Sequence, residues 1–294
     1  MNKMMSRLPG AQVKGLLHHF GLRAKKSLGQ HFLIDRQVLH RIVSAAELTP
    51  EDIVIEVGPG LGILTKELAR QAKWVIAIEA DANLASALTE IVTLLPNVSI
   101  INSDILQTDP VGLLTSSGIE NVTLPSYKVV ANLPYYITSA VIRHFLEAAH
   151  KPCSMVVMVQ KEVGEAIVAP PGEMSLLAVS VQFYGKPVII AHVPSQSFYP
   201  PPKVDSVILQ IKVYERPPVE VPETSQFFAV VRAGFSAPRK QLRNALAQGL
   251  GISPLEAAHL LERASINPQR RAETLNLQEW AMMCEVVAGY GTRV

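Results

Sequence analysis

The sequence is poor in cysteine and has no long hydrophobic run. Its 294 residues include two cysteines, Cys153 and Cys284, which lie far apart in the chain. This number and spacing fit neither a disulfide framework nor the ligand set of a structural metal site, and the histidines form no metal-ligand pattern with cysteines or acids. The longest apolar runs, such as Met155–Val159, are too short to span a bilayer. The sequence therefore predicts a cytoplasmic protein without a metal site or a membrane partner.

Acidic residues are absent from the first 34 positions, although the net charge of the whole chain is only +2. A second basic cluster lies at 239–243 and a third at Arg270 and Arg271. Basic patches on a nearly neutral protein favour a polyanion bound to one face, with scattered solvated charges as the alternative. A targeting peptide is disfavoured because the segment contains few arginines and serines. The basic residues of the first segment are Lys3, Arg7, Lys14, Arg23, Lys25 and Lys26.

The composition is that of a globular protein, because 48% of the residues are hydrophobic and 18% are charged. A proline-rich stretch, Arg216–Pro222, is typical of a linker. Apolar residues recur at helical spacing in four segments beyond it, which are Phe227–Gly234, Pro238–Leu250, Pro254–Ala264 and Asn276–Ala288. We therefore predict a large domain over residues 1–215 and a small all-helical domain over residues 216–294.

A glycine-rich turn opens the large domain. The β-branched run Ile53–Val57 leads directly into Gly58, Gly60 and Gly62, and the helical pattern Ile63–Ala72 follows. Strand, glycine loop and helix in this order open a doubly wound α/β nucleotide-binding fold. The glycine spacing differs from that of dinucleotide enzymes, which disfavours an NAD oxidoreductase.

Polar side chains follow the next three predicted strands. Glu79 follows Trp74–Ile78, about 20 residues after the glycine loop, where an acid binds ribose hydroxyls. Asp104 follows the strand Val98–Ile101 and can accept from an adenine amino group, and Asn132 follows the strand that begins at Tyr127. Each acid alone could be an ordinary cap at a strand end. Their succession favours a ligand site at the carboxyl edge of the sheet.

The segment Asn132-Leu133-Pro134-Tyr135 carries a distinct chemistry. The Asn132 side chain offers an amide oxygen, and the Leu133 carbonyl precedes a proline that has no N–H. Two acceptors beside the Tyr135 ring suit an exocyclic amine of a planar base. Phe198, in the proline-rich segment Ser197–Val204, is a second candidate for stacking on a base, with packing in the core as the alternative.

Taken in order, these motifs resemble those of the ribosomal RNA adenine dimethyltransferases, and within them the bacterial kasugamycin-resistance family that modifies 16S rRNA. The resemblance covers the chain from about Leu22 to its C-terminus. The motifs are Gln30–Leu33, Glu56–Gly62, Glu79, Asp104, Asn132–Tyr135 and Phe198–Ser206. One departure is the short apolar segment Pro170–Leu177, where many relatives carry a longer and charged one.

The resemblance implies a Rossmann-like class I S-adenosylmethionine-dependent methyltransferase domain with a small helical C-terminal domain. It implies a role in small-subunit biogenesis, with 16S rRNA as partner, and we expect a monomer. The expected cofactor-binding residues are His31, Leu33, Gly58, Gly60, Gly62, Glu79, Asp104 and Asn132. The expected catalytic residues are Asn132, Leu133, Pro134, Tyr135 and Phe198. The expected RNA-binding residues are Arg23, Lys25, Lys26, Arg239, Lys240 and Arg243.

Two other functions stay open from the sequence. A DNA adenine-N6 methyltransferase needs the same Asn-x-Pro-Tyr chemistry. A ribosome assembly or binding factor could keep the fold without catalysis, although the intact set of Gly58, Glu79, Asp104 and Asn132 disfavours that loss.

Overall fold

A computed structural model of the protein describes residues 10–25, 29–116 and 125–291. Strands and helices are interspersed as far as residue 213, and the described chain is helical beyond it. The helices in these ranges are α1 (Gly10–His19), α2 (Arg36–Ala45), α3 (Ile63–Ala69), α4 (Ala82–Ile91), α5 (Pro110–Ser116), α6 (Thr138–Glu147), α7 (Lys161–Val168), α8 (Leu176–Tyr184), α9 (Thr224–Gly234), α10 (Leu242–Leu250), α11 (Pro254–Arg263) and α12 (Leu277–Gly291). The strands are β1 (Phe32–Leu33), β2 (Ile53–Val57), β3 (Trp74–Glu79), β4 (Val98–Asn102), β5 (Tyr127–Asn132), β6 (Ser154–Gln160), β7 (Gly185–Val193), β8 (Phe198–Tyr199) and β9 (Ser206–Val213).

Seven of the described strands form one sheet in the order β4-β3-β2-β5-β6-β9-β7. The strands from β4 to β6 are parallel, and β9 runs antiparallel to β6. The strand order reverses between β2 and β5, because β3 and β4 lie on one side of this pair and β6 on the other. In open parallel sheets such a reversal leaves a crevice at the carboxyl ends of the strands, where ligands bind. The predicted Rossmann-like α/β fold is confirmed.

The central strands are mostly apolar because helices cover both faces of a parallel sheet. All five residues of β2 are buried. Val54, Val130 and Met158 pack with the helices α2 and α3 on one face, and Ala77 packs with Leu88 of α4 in another cluster. Burial of this kind stabilises the fold by roughly 25 cal/mol for each Å² of apolar surface.

Asp35 caps the N-terminus of α2. Its Oδ1 accepts hydrogen bonds from the backbone N–H groups of Gln37 at 2.9 Å and Val38 at 3.3 Å. Such a cap satisfies donors that the first helical turn leaves free. The helix after the glycine loop ends at Ala69, three residues earlier than the predicted Ala72.

Its many prolines predict that the segment Ser197–Val204 contains neither strand nor helix, but Phe198 and Tyr199 form the short strand β8. Phe198 and Tyr199 pair antiparallel with Leu33 and Phe32 of β1 in a two-stranded sheet. The pairing is possible because Pro200, which cannot donate a backbone hydrogen bond, follows the paired residues.

The chain divides into two compact units. The first comprises residues 1–164 and 187–213 and contains the large sheet. The second comprises residues 165–186 and 214–294, so α8 belongs with the C-terminal helices although the sequence boundary was drawn after residue 215. The core of the second unit contains Phe183, Phe227 and Trp280, with the Phe183 and Phe227 rings stacked at 4.7 Å between their centroids.

None of the helices in the described ranges is long and apolar enough to cross a membrane. The described residues also contain no group of three His, Cys, Asp or Glu side chains that could hold a metal ion.

Candidate active site

A cavity of about 160 Å³ lies in the first unit at the carboxyl ends of the parallel strands. It is bounded by the glycine loop after β2, by the ends of β3, β4 and β5, and by the loop before β1. The predicted site residues that line it are His31, Gly58, Gly60, Glu79, Asp104, Asn132, Leu133, Pro134 and Tyr135. Three strand ends that are distant in the sequence therefore meet at one cavity.

The glycine loop needs its glycines for two reasons. Gly58, Gly60 and Gly62 have φ values of +67°, +56° and +69°, in the left-handed region that glycine adopts without strain. A Cβ on Gly60 would lie 3.1 Å from the Phe32 ring, so a side chain there would compete with the wall of the cavity. The loop can thus place backbone close to a ligand.

Glu79 ties this loop to the end of β3. Its Oε2 accepts from the Gly60 N–H at 3.2 Å, and its Oε1 accepts from the Asp81 N–H at 3.0 Å. Burial of the side chain raises the pKa of Glu79, and these backbone hydrogen bonds oppose that rise. Each carboxylate oxygen keeps further acceptor capacity for a hydroxyl group.

Asp104 lies exposed at the end of β4 and caps the short 3-10 helix Ile105–Gln107. Its Oδ1 accepts from the Leu106 N–H at 3.0 Å. The capping interpretation of this acid is therefore correct, and the same side chain also lines the cavity. One carboxylate can serve both purposes because it has two oxygens.

Asn132 is oriented by the chain before β1. Its Nδ2 donates to the His31 carbonyl at 3.1 Å, which leaves the amide oxygen Oδ1 for another donor. His31 is itself held, since its Nδ1 lies 2.7 Å from the Pro200 carbonyl and can only donate to it. The amide group of Asn132 thus has a defined orientation at the cavity.

The residues after Asn132 turn sharply into α6. The Leu133 N–H donates to the Met158 carbonyl at 3.2 Å, and the Pro134 ring lies over Gly58, with Cδ 3.5 Å from where a Cβ of that glycine would be. The Tyr135 hydroxyl lies 2.7 Å from Ser206 Oγ, and its ring stacks on His31 at 5.7 Å between centroids. Tyr135 is therefore fixed at both its hydroxyl and its ring.

Three predicted site residues lie away from this cavity. Phe198 is 2% exposed and packs in the core with its cross-strand partner Leu33, because the β1–β8 register turns both side chains to one face. Phe198 is thus absent from the lining of this cavity, and its stacking on a base stays a prediction. Leu33 lines a smaller adjacent cavity of about 40 Å³, and Gly62 packs against Leu88 of α4.

Sequence reasoning missed a polar network at the cavity rim. Asp81 caps α4, accepts from Gln30 Nε2 at 3.3 Å and pairs with Lys25 at 2.7 Å. Asp81 is distant in the sequence from Gln30 and Lys25, so no local pattern indicates that these residues meet. The position of Asp81, two residues after Glu79, was the one available signal. Lys25, which was expected to bind RNA, therefore forms an ion pair with the Asp81 carboxylate.

Glu56, on β2, was also missed as a titrating group. It is 1% exposed, its Oε2 has no hydrogen-bond partner in the described chain, and it lines the smaller cavity with His31 and Asn132. Burial raises its pKa to about 8. The carboxyl group is therefore largely neutral at pH 7.

The predicted RNA-binding residues are exposed where they are described. Arg23 lies before the cavity loop in the first unit, and Lys26 lies outside the described residues. Arg239 and Lys240 precede α10 in the second unit, and Arg243 lies in its first turn. These three cations face solvent, as binding to phosphates requires.

A family model described as ribosomal RNA adenine dimethylase matches residues 21–287 of the chain. The chain is 53% identical over 276 residues to the ribosomal RNA small subunit methyltransferase A of Dehalococcoides mccartyi, which covers 94% of this chain and 92% of that relative. The protein of the same name from Moorella thermoacetica is 44% identical, with 93% and 95% covered.

Solved structures have the same fold. The crystal structure of the 23S rRNA methyltransferase ErmE superimposes with a TM-score of 0.67 at 27% identity, covering 87% of this chain and 99% of that one. A dimethyladenosine transferase from Plasmodium falciparum gives a TM-score of 0.73 at 24% identity, covering 89% and 98%. The similarity therefore extends over nearly the whole length of each chain.

Proposed function

Because the chain belongs to the ribosomal RNA adenine dimethylase family, we propose that it transfers methyl groups from S-adenosylmethionine to N6 of adenines in 16S rRNA. The substrates are two adjacent adenosines in a loop of this RNA, and each receives two methyl groups. The protein acts as a monomer in the cytoplasm during small-subunit biogenesis. Relatives named for methylation of small-subunit ribosomal RNA support this choice of substrate.

The observation that carries the proposal is the meeting of Asn132–Tyr135 with the glycine loop at one cavity. The glycine loop and Glu79 form one wall of this cavity, and the acceptor pair of Asn132 and Leu133 forms another. A site that joins a nucleoside-binding wall to a pair of acceptors suits the transfer of a group onto an exocyclic amine.

The polar groups that line the cavity fit S-adenosylmethionine. Glu79 offers carboxylate oxygens for ribose hydroxyls, and Asp104 offers an exposed carboxylate for the adenine amino group. Gly58 and Gly60 bring backbone to the cavity without Cβ atoms. His31 and Asn132 lie where this wall meets the acceptor pair. When bound, the sulfonium group of this cofactor supplies an electrophilic methyl carbon.

The acceptor pair prepares the amine for attack. The lone pair of adenine N6 is delocalised into the ring, which makes this nitrogen a poor nucleophile. Asn132 Oδ1 and the Leu133 carbonyl accept the two N6 hydrogens and hold the lone pair out of the ring plane, toward the methyl carbon. A bound S-adenosylmethionine would supply the methyl carbon, and N6 would form its bond to that carbon as the carbon–sulfur bond breaks. The methylated amine then loses one proton to water. Alignment of the N6 lone pair with the methyl carbon is worth up to about 7–11 kcal/mol.

Tyr135 gives the flipped adenine a flat surface at the cavity. Its ring is fixed by the Ser206 hydroxyl and by stacking on His31, so little side-chain freedom is lost when a base binds. RNA is read mainly at unstacked loops, whose bases are available for flipping. Arg239, Lys240 and Arg243 supply positive charge for the phosphate backbone.

Transfer of radiolabelled methyl groups to three substrates tests the proposal. Small ribosomal subunits from a strain that lacks the modification, large subunits from the same strain and duplex DNA are each incubated with the protein. We expect label in small-subunit RNA alone. Label in DNA alone would indicate a DNA adenine-N6 methyltransferase. Absence of label in all three, with cofactor binding confirmed by calorimetry, would indicate a binding factor.

A further inference from the structure

A second cavity of the first unit has no role in the methylation chemistry above. Its volume is about 460 Å³, and it lies among the helices α1, α2 and α3. We call it the three-helix cavity. It shares no lining residue with the cavity at the ends of the parallel strands. Its volume falls in the range of about 300–1,000 Å³ that is typical of ligand sites. A ligand bound there could therefore be present while the methylation cavity is occupied.

Half of the lining of the three-helix cavity is aliphatic. The aliphatic side chains are Val13 and Leu16 of α1, Leu39 of α2, and Leu61 and Ile63 at the start of α3. No phenylalanine, tyrosine or tryptophan of the described chain lines this cavity. Nucleic-acid bases bind proteins largely by stacking on aromatic rings. An aliphatic lining instead suits the aliphatic side chains of a protein segment, as in the grooves that bind amphipathic helices.

The rest of the lining is positively charged. Arg36 of α2 and Lys66 and Arg70 of α3 border the cavity, together with one acid, Glu67. The Glu67 carboxylate pairs with Arg70. Arg36 and Lys66 form no ion pair with any residue that the structure describes. Positive charge on two different helices therefore favours an anionic partner.

We propose that the three-helix cavity binds an acidic segment of a partner protein. Aliphatic side chains of this segment fill the cavity, and its carboxylates pair with Arg36 and Lys66. The proposal is independent of the methylation chemistry, because it uses none of the residues assigned to it. An RNA backbone would match the charge but would leave the aliphatic side chains without an apolar partner. Residues 1–9 of this chain contain Lys3, Arg7 and no acid, so their charge does not complement the cavity.

Four fluorescein-labelled probes separate the apolar requirement from the charge requirement. The first is a short peptide of leucine and glutamate, with the leucines at helical spacing. The second peptide has serine in place of leucine, the third has glutamine in place of glutamate, and the fourth probe is an oligouridylate of the same length. Fluorescence anisotropy with the full chain measures the Kd of each. We expect the leucine–glutamate peptide to bind most tightly, because it alone meets both requirements.

Charge variants assign this binding to the cavity. Arg36→Gln combined with Lys66→Gln should raise the Kd of the leucine–glutamate peptide about 2- to 30-fold, the range expected for the loss of two surface ion pairs. Leu16→Ser, which shortens a half-buried side chain of the lining, should also raise it. Arg41→Gln with Lys73→Gln is the matched control, because it removes the same two residue types at exposed positions outside the lining. This control should leave the Kd unchanged, and all variants should unfold thermally as wild type does.

Several results would overturn the proposal. These are no binding of the leucine–glutamate peptide, binding that the double charge variant leaves unchanged, or equal binding of the serine peptide. Tighter binding of the oligouridylate, with a loss of small-subunit methylation in the double charge variant, would instead identify an RNA contact. Peptide binding that appears only after removal of residues 1–9 would identify that segment as the occupant and would also refute a partner protein.

Discussion

The two polar atoms of the Asn132 side-chain amide have different roles. Its Nδ2 donates to the His31 carbonyl, and this hydrogen bond turns Oδ1 toward the cavity. An aspartate could not make this contact, because an ionised carboxylate only accepts. The need for a donor on one side and an acceptor on the other explains why an amide stands at the end of β5.

Asn132→Ala removes both atoms and leaves Glu79 and Asp104 in place. We expect kcat to fall about 100-fold or more, because a misplaced reacting group costs on this order, while the cofactor Kd changes little. Single-turnover methylation of small subunits and calorimetry measure the two quantities. Asn83→Ala, an exposed change on α4, is the control. Wild-type turnover in Asn132→Ala would refute the assigned role.

Glu56 makes stability depend on pH. Its pKa is about 8 in the folded protein against an ordinary value of 4.5. Between these values the folded chain holds a proton that the unfolded chain has lost. The stability that the protonated Glu56 side chain gives the folded protein is therefore complete below pH 4.5 and is lost as the pH rises to 8.

Glu56→Gln carries a neutral side chain at every pH. We expect the free energy of unfolding of this variant, relative to wild type, to increase by up to about 1.4 kcal/mol for each pH unit from pH 5 to 8. Urea unfolding at four pH values measures this difference, with the exposed Glu90→Gln as control. A difference that stays constant over this range would contradict the raised pKa.

At the scale of helices and strands, the order of the parallel strands creates the site. The chain reverses direction across the sheet between β2 and β5, so the glycine loop and Asn132 open into the same crevice. The cavity is thus a consequence of topology, and its chemistry comes from the residues that end each strand.

Much of this arrangement was predictable from local sequence. The β-branched run Ile53–Val57 is confirmed as β2 in both of its bounds, and Glu79 and Asn132 end their strands as predicted. The pairing of β1 with β8 was not predictable, because strands of two residues carry no periodicity. The same contact buries Phe198, so the burial of this ring was not predictable either.

The assignment of α8 to the second unit could not be predicted from the local sequence either. Its residues are apolar on nearly all sides, so no polar face indicates how the helix lies. It packs with Phe227 and Phe228 of α9 through Phe183, and these contacts join residues distant in the sequence. A boundary drawn from linker composition could detect the change at residue 216 but not this earlier segment.

The contact of α9 with α10 depends on Gly249. A Cβ at this position would lie 2.4 Å from Ala233 Cα, which is backbone and cannot move aside. We expect Gly249→Ala to destabilise the second unit by about 1–3 kcal/mol, as overpacking of a close contact does. Thermal unfolding measures the loss. Gly289→Ala on α12 should show none of it, because within the described residues no atom beyond the neighbouring residues and backbone of its own helix lies within 4 Å of the new Cβ.

At the scale of the whole molecule, positive charge is local although the net charge is only +2. Lys25 is already paired with Asp81, whereas Arg239, Lys240 and Arg243 are exposed on the second unit. The RNA-binding role proposed for these three residues would therefore place phosphate contacts on the second unit, whereas the cavity lies in the first.

Replacing these three cations with alanine should weaken binding of small subunits and make it less sensitive to salt. Each lost phosphate contact lowers the slope of log affinity against log salt concentration by roughly 0.7–0.9. The slope is measured by filter binding between 50 and 200 mM salt, a range in which about 6–10 such contacts change affinity 10³–10⁵-fold. Arg263→Ala on α11 removes an exposed cation from another position as control. An unchanged slope in the triple variant would exclude these residues from the RNA interface.

We propose that one cavity, with Asn132 and Leu133 as acceptors, places two methyl groups on N6 of the same adenine. The most direct test is to label small ribosomal subunits from a strain without the modification, digest their RNA and separate the nucleosides. We expect label to accumulate in N6,N6-dimethyladenosine, with N6-methyladenosine present only early in the reaction. Label confined to N6-methyladenosine at completion, or to a nucleoside other than adenosine, would contradict it.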